Sequence, residues 1–192
     1  MLTDTQIFNN KIAYLELLAK LNIDLTALTK YLDSIDYFYK PLTSQNFRAY
    51  PGGLCDYALD LYNELSQLAA AYCPNKYTDE DIIKVALFKD LYRASLYELA
   101  IKNVKNDATN QWEAVPYYKV TDNRPAYGDI GFSSYMIAKS FIQFTDEQIE
   151  AIINSEFKGG TMNDIQEVRK NYKLVTLTGM ADIVCYYLLD NK

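Results

Sequence analysis

The chain has 192 residues, 49% hydrophobic and 23% charged, with a formal net charge of −6 and no histidine. That length suits one domain, able to bury about 70% of the surface of its unfolded form, and that composition is of an ordinary globular protein. The negative charge, with no long basic run, argues against bulk nucleic acid as a partner, and no stretch approaches the ~20 apolar residues of a membrane span.

Thr3 or Asp4 can cap a first helix to about Leu21, with Ile7, Ile12, Leu15, Leu17 and Leu18 as its apolar stripe. Met1 to Asn10 has neither a basic region nor an apolar core, so no secretory signal is expected and the cytoplasm is the expected compartment. A second helix starts at Asp24 or Thr26 and carries Leu28, Tyr31, Leu32, Ile35 and Phe38 before Pro41. Residues 41–53 read as a loop, rich in proline, serine, asparagine and glycine. A long helix follows to Tyr72, and Thr78-Asp79-Glu80-Asp81 caps another that is expected to run through about Arg93. The pattern then changes: the stretch from about 96 to 120, with its Asn106 to Asn110 turn, predicts a β-hairpin inserted in a helical protein. Helices are expected again at about 129–141, 145–157, 163–171 and 174–189.

Several chemistries lack their residues. Cys55, Cys73 and Cys185 have no C-x-x-C spacing, so a structural zinc site is excluded and reduced, buried thiols are expected. No phosphate-binding glycine loop is present, and a Ser or Cys nucleophile would lack an imidazole base. Glu147 with Glu150, and Asp79 to Asp81, sit at helix starts or on polar faces, where capping or solvation accounts for them. The unusual surplus is tyrosine, 18 residues against 8 phenylalanines and one tryptophan, which suits ring-stacking pockets as well as core and interface packing.

Four elements carry a longer pattern. Gly52-Gly53-Leu54-Cys55-Asp56-Tyr57 opens one helix, Phe88-Lys89-Asp90 sits in a second, Ala126-Tyr127-Gly128-Asp129 starts a third, and Ala181-Asp182 lies in the last. Between the second and third come Tyr97-Glu98-Leu99, a Lys/Asn-rich turn, Trp112-Glu113 and Pro116-Tyr117-Tyr118. In this order the motifs resemble those of phage and bacterial HD-domain phosphohydrolases, over residues 44–188. The resemblance implies a mainly α, HD-domain-like helical bundle with an inserted hairpin. It would form a single domain over 1–192, with 1–43 as an N-terminal helical extension and 44–188 as the core.

The histidines of that family are replaced. Tyr57 stands at the end of the Gly-Gly-Leu-x-x-His element, Lys89 in the His-Asp pair, and Tyr127 in the Gly-His-Gly-Glu element. Glu156 is the best match for a later histidine before a glycine, and a further one would fall near Phe47 or Arg48. Asp90 and Asp182 are kept. Such enzymes use a metal to generate hydroxide, whereas a phenol is mostly protonated at neutral pH and an ammonium has no lone pair for a metal. Metal-dependent catalysis is therefore expected to be lost, with no cofactor.

The leading expectation is a non-catalytic protein binding a nucleotide or nucleotide-derived anion, such as a phage anti-defence sponge that sequesters a signal in the host cytoplasm. Arg48, Tyr57, Lys89, Asp90, Arg93, Tyr127, Glu156 and Asp182 are the candidate ligand-binding residues, with cations for the anion and tyrosine rings for a base or ribose. Two alternatives stay open. One is a protein-protein interaction or scaffold protein with a filled, inactive pocket, self-association as a homo-oligomer included. The other is a residual phosphohydrolase whose remodelled metal site uses Asp90, Asp182 and Glu156.

Overall fold

A computed structural model describes residues 1–122, 129–155 and 162–189, with the backbone alone for 162–165. Its elements, in chain order, are helices α1 (Asp4–Ala19), α2 (Thr26–Ser34), α3 (Gly53–Tyr72) and α4 (Asp79–Phe88), strands β1 (Tyr97–Lys105) and β2 (Trp112–Val120), and helices α5 (Ile130–Ala138), α6 (Asp146–Asn154), α7 (Met162–Asn171) and α8 (Lys173–Tyr187). Short 3-10 turns cover Tyr37–Tyr39 and Leu91–Ser95. The chain is mainly helical with one small antiparallel hairpin, as the periodicities indicated. No helix among the described residues is long and apolar enough to cross a membrane.

Capping fixes where the helices begin. Thr3, Thr78 and Thr145 each accept a bond from the third helical N–H, and Gln6, Asp81 and Gln148 reach back to the cap backbone. Such reciprocal boxes satisfy N–H groups that the helix itself leaves open. α3 lies at the centre, against α8, α4 and α1. Its Leu54, Ala58, Leu61 and Leu65 recur at helical spacing and are buried, each leucine contributing about 1.5–3 kcal/mol. In α4 every residue from Ile82 to Phe88 except Lys84 is buried, so this helix is covered on most sides. Tyr14 ties α1 to it by donating its hydroxyl to the Leu87 carbonyl at 2.9 Å.

Two helices stop earlier than their apolar patterns suggest. α2 ends at Ser34, and Asp36 takes a left-handed conformation (φ 56°) that sends Tyr37 and Phe38 into the core on a 3-10 turn instead of one continuous helix. α4 ends at Phe88 rather than running through Arg93, with Lys89 at its cap and Asp90 at φ −112°, ψ 15°. The tighter 3-10 turn that follows folds Arg93 back onto Asp90, a contact described below.

Candidate functional site

The double glycine is a positioning device. Gly52 is left-handed (φ 83°), and a Cβ on Gly53 would collide with the Arg48 backbone carbonyl. The loop before it closes through Leu42 N–H to the Arg48 carbonyl (3.1 Å) and Leu54 N–H to the Lys40 carbonyl (3.0 Å). The first turn of α3 is thereby pressed against Phe47 and Arg48, and Tyr57 enters the interior one turn later.

Five of the expected residues form one connected cluster. Lys89 Nζ lies 2.9 Å from Asp90 Oδ2 and 3.3 Å from Asp182 Oδ1. The Tyr57 hydroxyl donates to the same Asp182 oxygen, and Arg93 Nε donates to the other Asp90 oxygen. Lys89 is only 2% exposed and Tyr57 1%, while the Asp182 side chain keeps 14%. Arg48 does not join this chain of bonds. Its guanidinium takes Asp56 at 3.0 Å and Asp60 at 2.5 Å, and stands 5.7 Å from the Tyr57 ring centroid. Tyr127 and Glu156 lie outside the described residues.

Burial and charge act in opposite directions here. Burial alone would raise the Asp90 carboxyl, but the Lys89 and Arg93 cations hold it well below the usual carboxylate range. Burial, reinforced by Asp182, pushes the Tyr57 phenol far above its ordinary value, so it stays a protonated donor. Burial likewise pushes Tyr186 up to about 12, with Asp90 and Asp182 adding to the shift.

Three neighbours had no place among the expected ligands. Tyr186, one helical turn after Asp182 on α8, stacks on Phe47 at 3.9 Å between centroids and meets Tyr57 edge-on at 5.9 Å. Asp56 and Asp60, one turn apart on α3, hold Arg48. The sequence signal for both is i, i+4 spacing from a motif residue or from each other. The backbone turn that brings Arg48 to them is not a local pattern, since Arg48 itself has φ 47°.

The donor set does not fit the metal that an HD-type phosphohydrolase holds. An ammonium, with no lone pair, lies between the two carboxylates, and the phenol beside them donates rather than accepts. Among the described residues no group of three or more His, Cys, Asp or Glu could hold a metal ion. The cluster is also balanced in charge, with Lys89 and Arg93 against Asp90 and Asp182, and the neighbouring Arg48 is held by Asp56 and Asp60. A cleft of about 340 Å³ lies elsewhere, at the foot of the hairpin, and none of the expected ligand residues lines it. No protein-family model matches this chain, and neither a curated protein nor a solved structure matches it.

Proposed function

We propose that this chain is a non-catalytic HD-like protein whose centre is filled by its own side chains, and that it acts through its surface as an interaction or scaffold protein. The observation that carries this reading is the Lys89 ammonium, held by Asp90 and Asp182. It supplies in fixed form the positive charge that a metal supplies to HD enzymes, but it cannot polarise a water into hydroxide. With Tyr57 and Phe47–Tyr186 packed beside it, the cluster serves to cross-link α3, the end of α4 and α8.

Two measurements test this. Wild-type protein is expected to bind no stoichiometric Mn²⁺ by calorimetry and to release no phosphate from nucleotides with Mn²⁺ or Mg²⁺. Replacing both Tyr57 and Lys89 by histidine sets two imidazoles beside Asp90 and Asp182, and that double variant is expected to gain a Mn²⁺ site. Stoichiometric metal with phosphate release in the wild type would sink the proposal, and a double variant without metal affinity would remove its HD lineage.

A second reading is favoured by Arg93 and Asp182, which keep side-chain exposures of 11% and 14% at the edge of the cluster. A nucleotide-derived anion, a signal sequestered by a phage-encoded sponge for example, would enter there and compete with Asp90 for Arg93. The charge balance weighs against it, because each cation already has a carboxylate. A thermal-shift titration with cyclic nucleotides, ADP-ribose derivatives and dNTPs separates the two, as a bound ligand must raise the melting temperature by mass action. A shift abolished by Arg93→Ala would put anion binding first.

A further inference from the structure

Among the described residues neither outer edge of the hairpin pairs with a further strand, and the two edges differ. Tyr97 stands opposite Val120 and Lys105 opposite Trp112. Bonds from Thr121 N–H to the Leu96 carbonyl (2.9 Å) and from Asn106 N–H to the Gln111 carbonyl (2.8 Å) identify the even-numbered residues of β1 as the hydrogen-bonded partners. The odd-numbered residues therefore direct their backbone groups away from β2. The Tyr97 carbonyl does so, accepting from Lys40 Nζ at 3.4 Å. Ile101 pairs with Pro116, so the N–H that proline lacks belongs to the outer edge of β2, which is thereby blunted against strand addition. β1 contains no proline, and its outer edge offers N–H and C=O groups at Leu99, Ile101 and Asn103.

The two faces of the hairpin differ as well. One carries the Glu98–Lys119 ion pair (2.8 Å) and Lys102 over the Tyr117 ring (5.2 Å). The other carries Leu99 and Ile101, 66% and 72% exposed, and at its turn end Trp112 at 70%.

We propose that two copies of this chain pair antiparallel along β1, forming a four-stranded sheet across a two-fold axis at Ala100. In this register Glu98 of each copy faces Lys102 of the other in a close non-hydrogen-bonded pair, where opposite charges interact best. Leu99 of each copy exchanges backbone bonds with Ile101 of the other, and the four aliphatic side chains cover one another in a row. Neighbouring two-fold registers lose this match. An axis at Ile101 sets Lys102 against Ala100, an axis at Lys102 sets two ammonium groups together, and an axis at Leu99 sets Glu98 against Ala100. The chosen register also carries Lys105 of the second copy past the start of β1, toward the cleft of about 340 Å³ where the exposed Asp36 offers the opposite charge. The Tyr97 carbonyl has two lone pairs, so it can take Asn103 N–H of the second copy while keeping Lys40.

The test is sedimentation equilibrium of the full chain across the micromolar range. A monomer–dimer equilibrium is expected. Ile101→Pro removes an outward N–H that the chain's own ladder does not use, together with one aliphatic side chain of the proposed contact, and should yield a monomer with an unchanged circular dichroism spectrum. Glu98→Lys and Lys102→Glu should each weaken the dimer about tenfold by opposing like charges twice. An equimolar mixture of those two variants should recover the dimer, because every cross-copy pair is then complementary. That recovery does not depend on how either variant affects its own hairpin. A monomer throughout, a dimer that survives Ile101→Pro with the fold intact, or a mixture that fails to recover would each overturn the proposal.

Discussion

Lys89 and Asp182, 93 positions apart in the chain, meet at 3.3 Å in the interior, with the Tyr57 hydroxyl on the same carboxylate oxygen. The pair joins the end of α4 to α8 through two charges that neither element could bury alone. Its energetic meaning is conditional: a buried pair contributes little over an apolar replacement, but removing one member strands the other.

Lys89→Ala leaves Asp90 and Asp182 without the cation between them. It is expected to lower stability by about 3–5 kcal/mol, read as an earlier midpoint in urea unfolding. Asp182→Asn should cost less, since Lys89 retains Asp90 at 2.9 Å.

Tyr57→Phe keeps the ring against Phe47 and Tyr186 while removing the donor to Asp182. A hydrogen bond to a charged acceptor contributes about 1.5–3 kcal/mol, and a loss in that range is expected by thermal or urea unfolding. A change near zero would show that the hydroxyl is not coupled to the carboxylate.

Acid should weaken the fold through Asp90. Its carboxyl is held below the ordinary value of 3.8 when folded, so its contribution is complete above that value and declines as pH falls from there through the folded value. Urea midpoints measured from pH 6 down to about pH 3 should fall, and Asp90→Asn should flatten that dependence at the cost of lower stability near neutrality.

Gly53→Ala tests the loop that seats α3. The added methyl meets the Arg48 carbonyl, a backbone group that can yield only if residues 40–53 shift. A loss of about 1–3 kcal/mol is expected, with a disturbed Arg48–Asp56 contact. Alanine at Gly52 is expected to be costly for another reason, its φ of 83°.

Much of the architecture was legible because its signals are local. A cap at Thr3 or Asp4 marked α1, the Thr78-to-Asp81 box marked α4, and the change from helical to strand patterning at about residue 96 marked the hairpin. The early ends of α2 and α4 were not legible. Apolar residues continue past both, and only packing against other elements selects a 3-10 turn over another helical turn. At the site, the motif order nominated Tyr57, Lys89, Asp90 and Asp182, closeness to the motifs nominated Arg93, and the structure brings these five together. Arg48 was nominated too but answers to Asp56 and Asp60, through a loop whose path depends on the double glycine.

By itself the sequence determined which chemistry is unavailable. Without histidine, and with lysine beside Asp90, there is no imidazole ligand or base anywhere in the chain. Tertiary structure alone decided what the remaining charges do. Whether Lys89 reaches out to a ligand or inward to Asp182 depends on a contact spanning 93 residues, fixed by how α8 packs on α3. Burial accounts for the pairing, because an ammonium taken out of water must be matched by carboxylates nearby, and two of them are there.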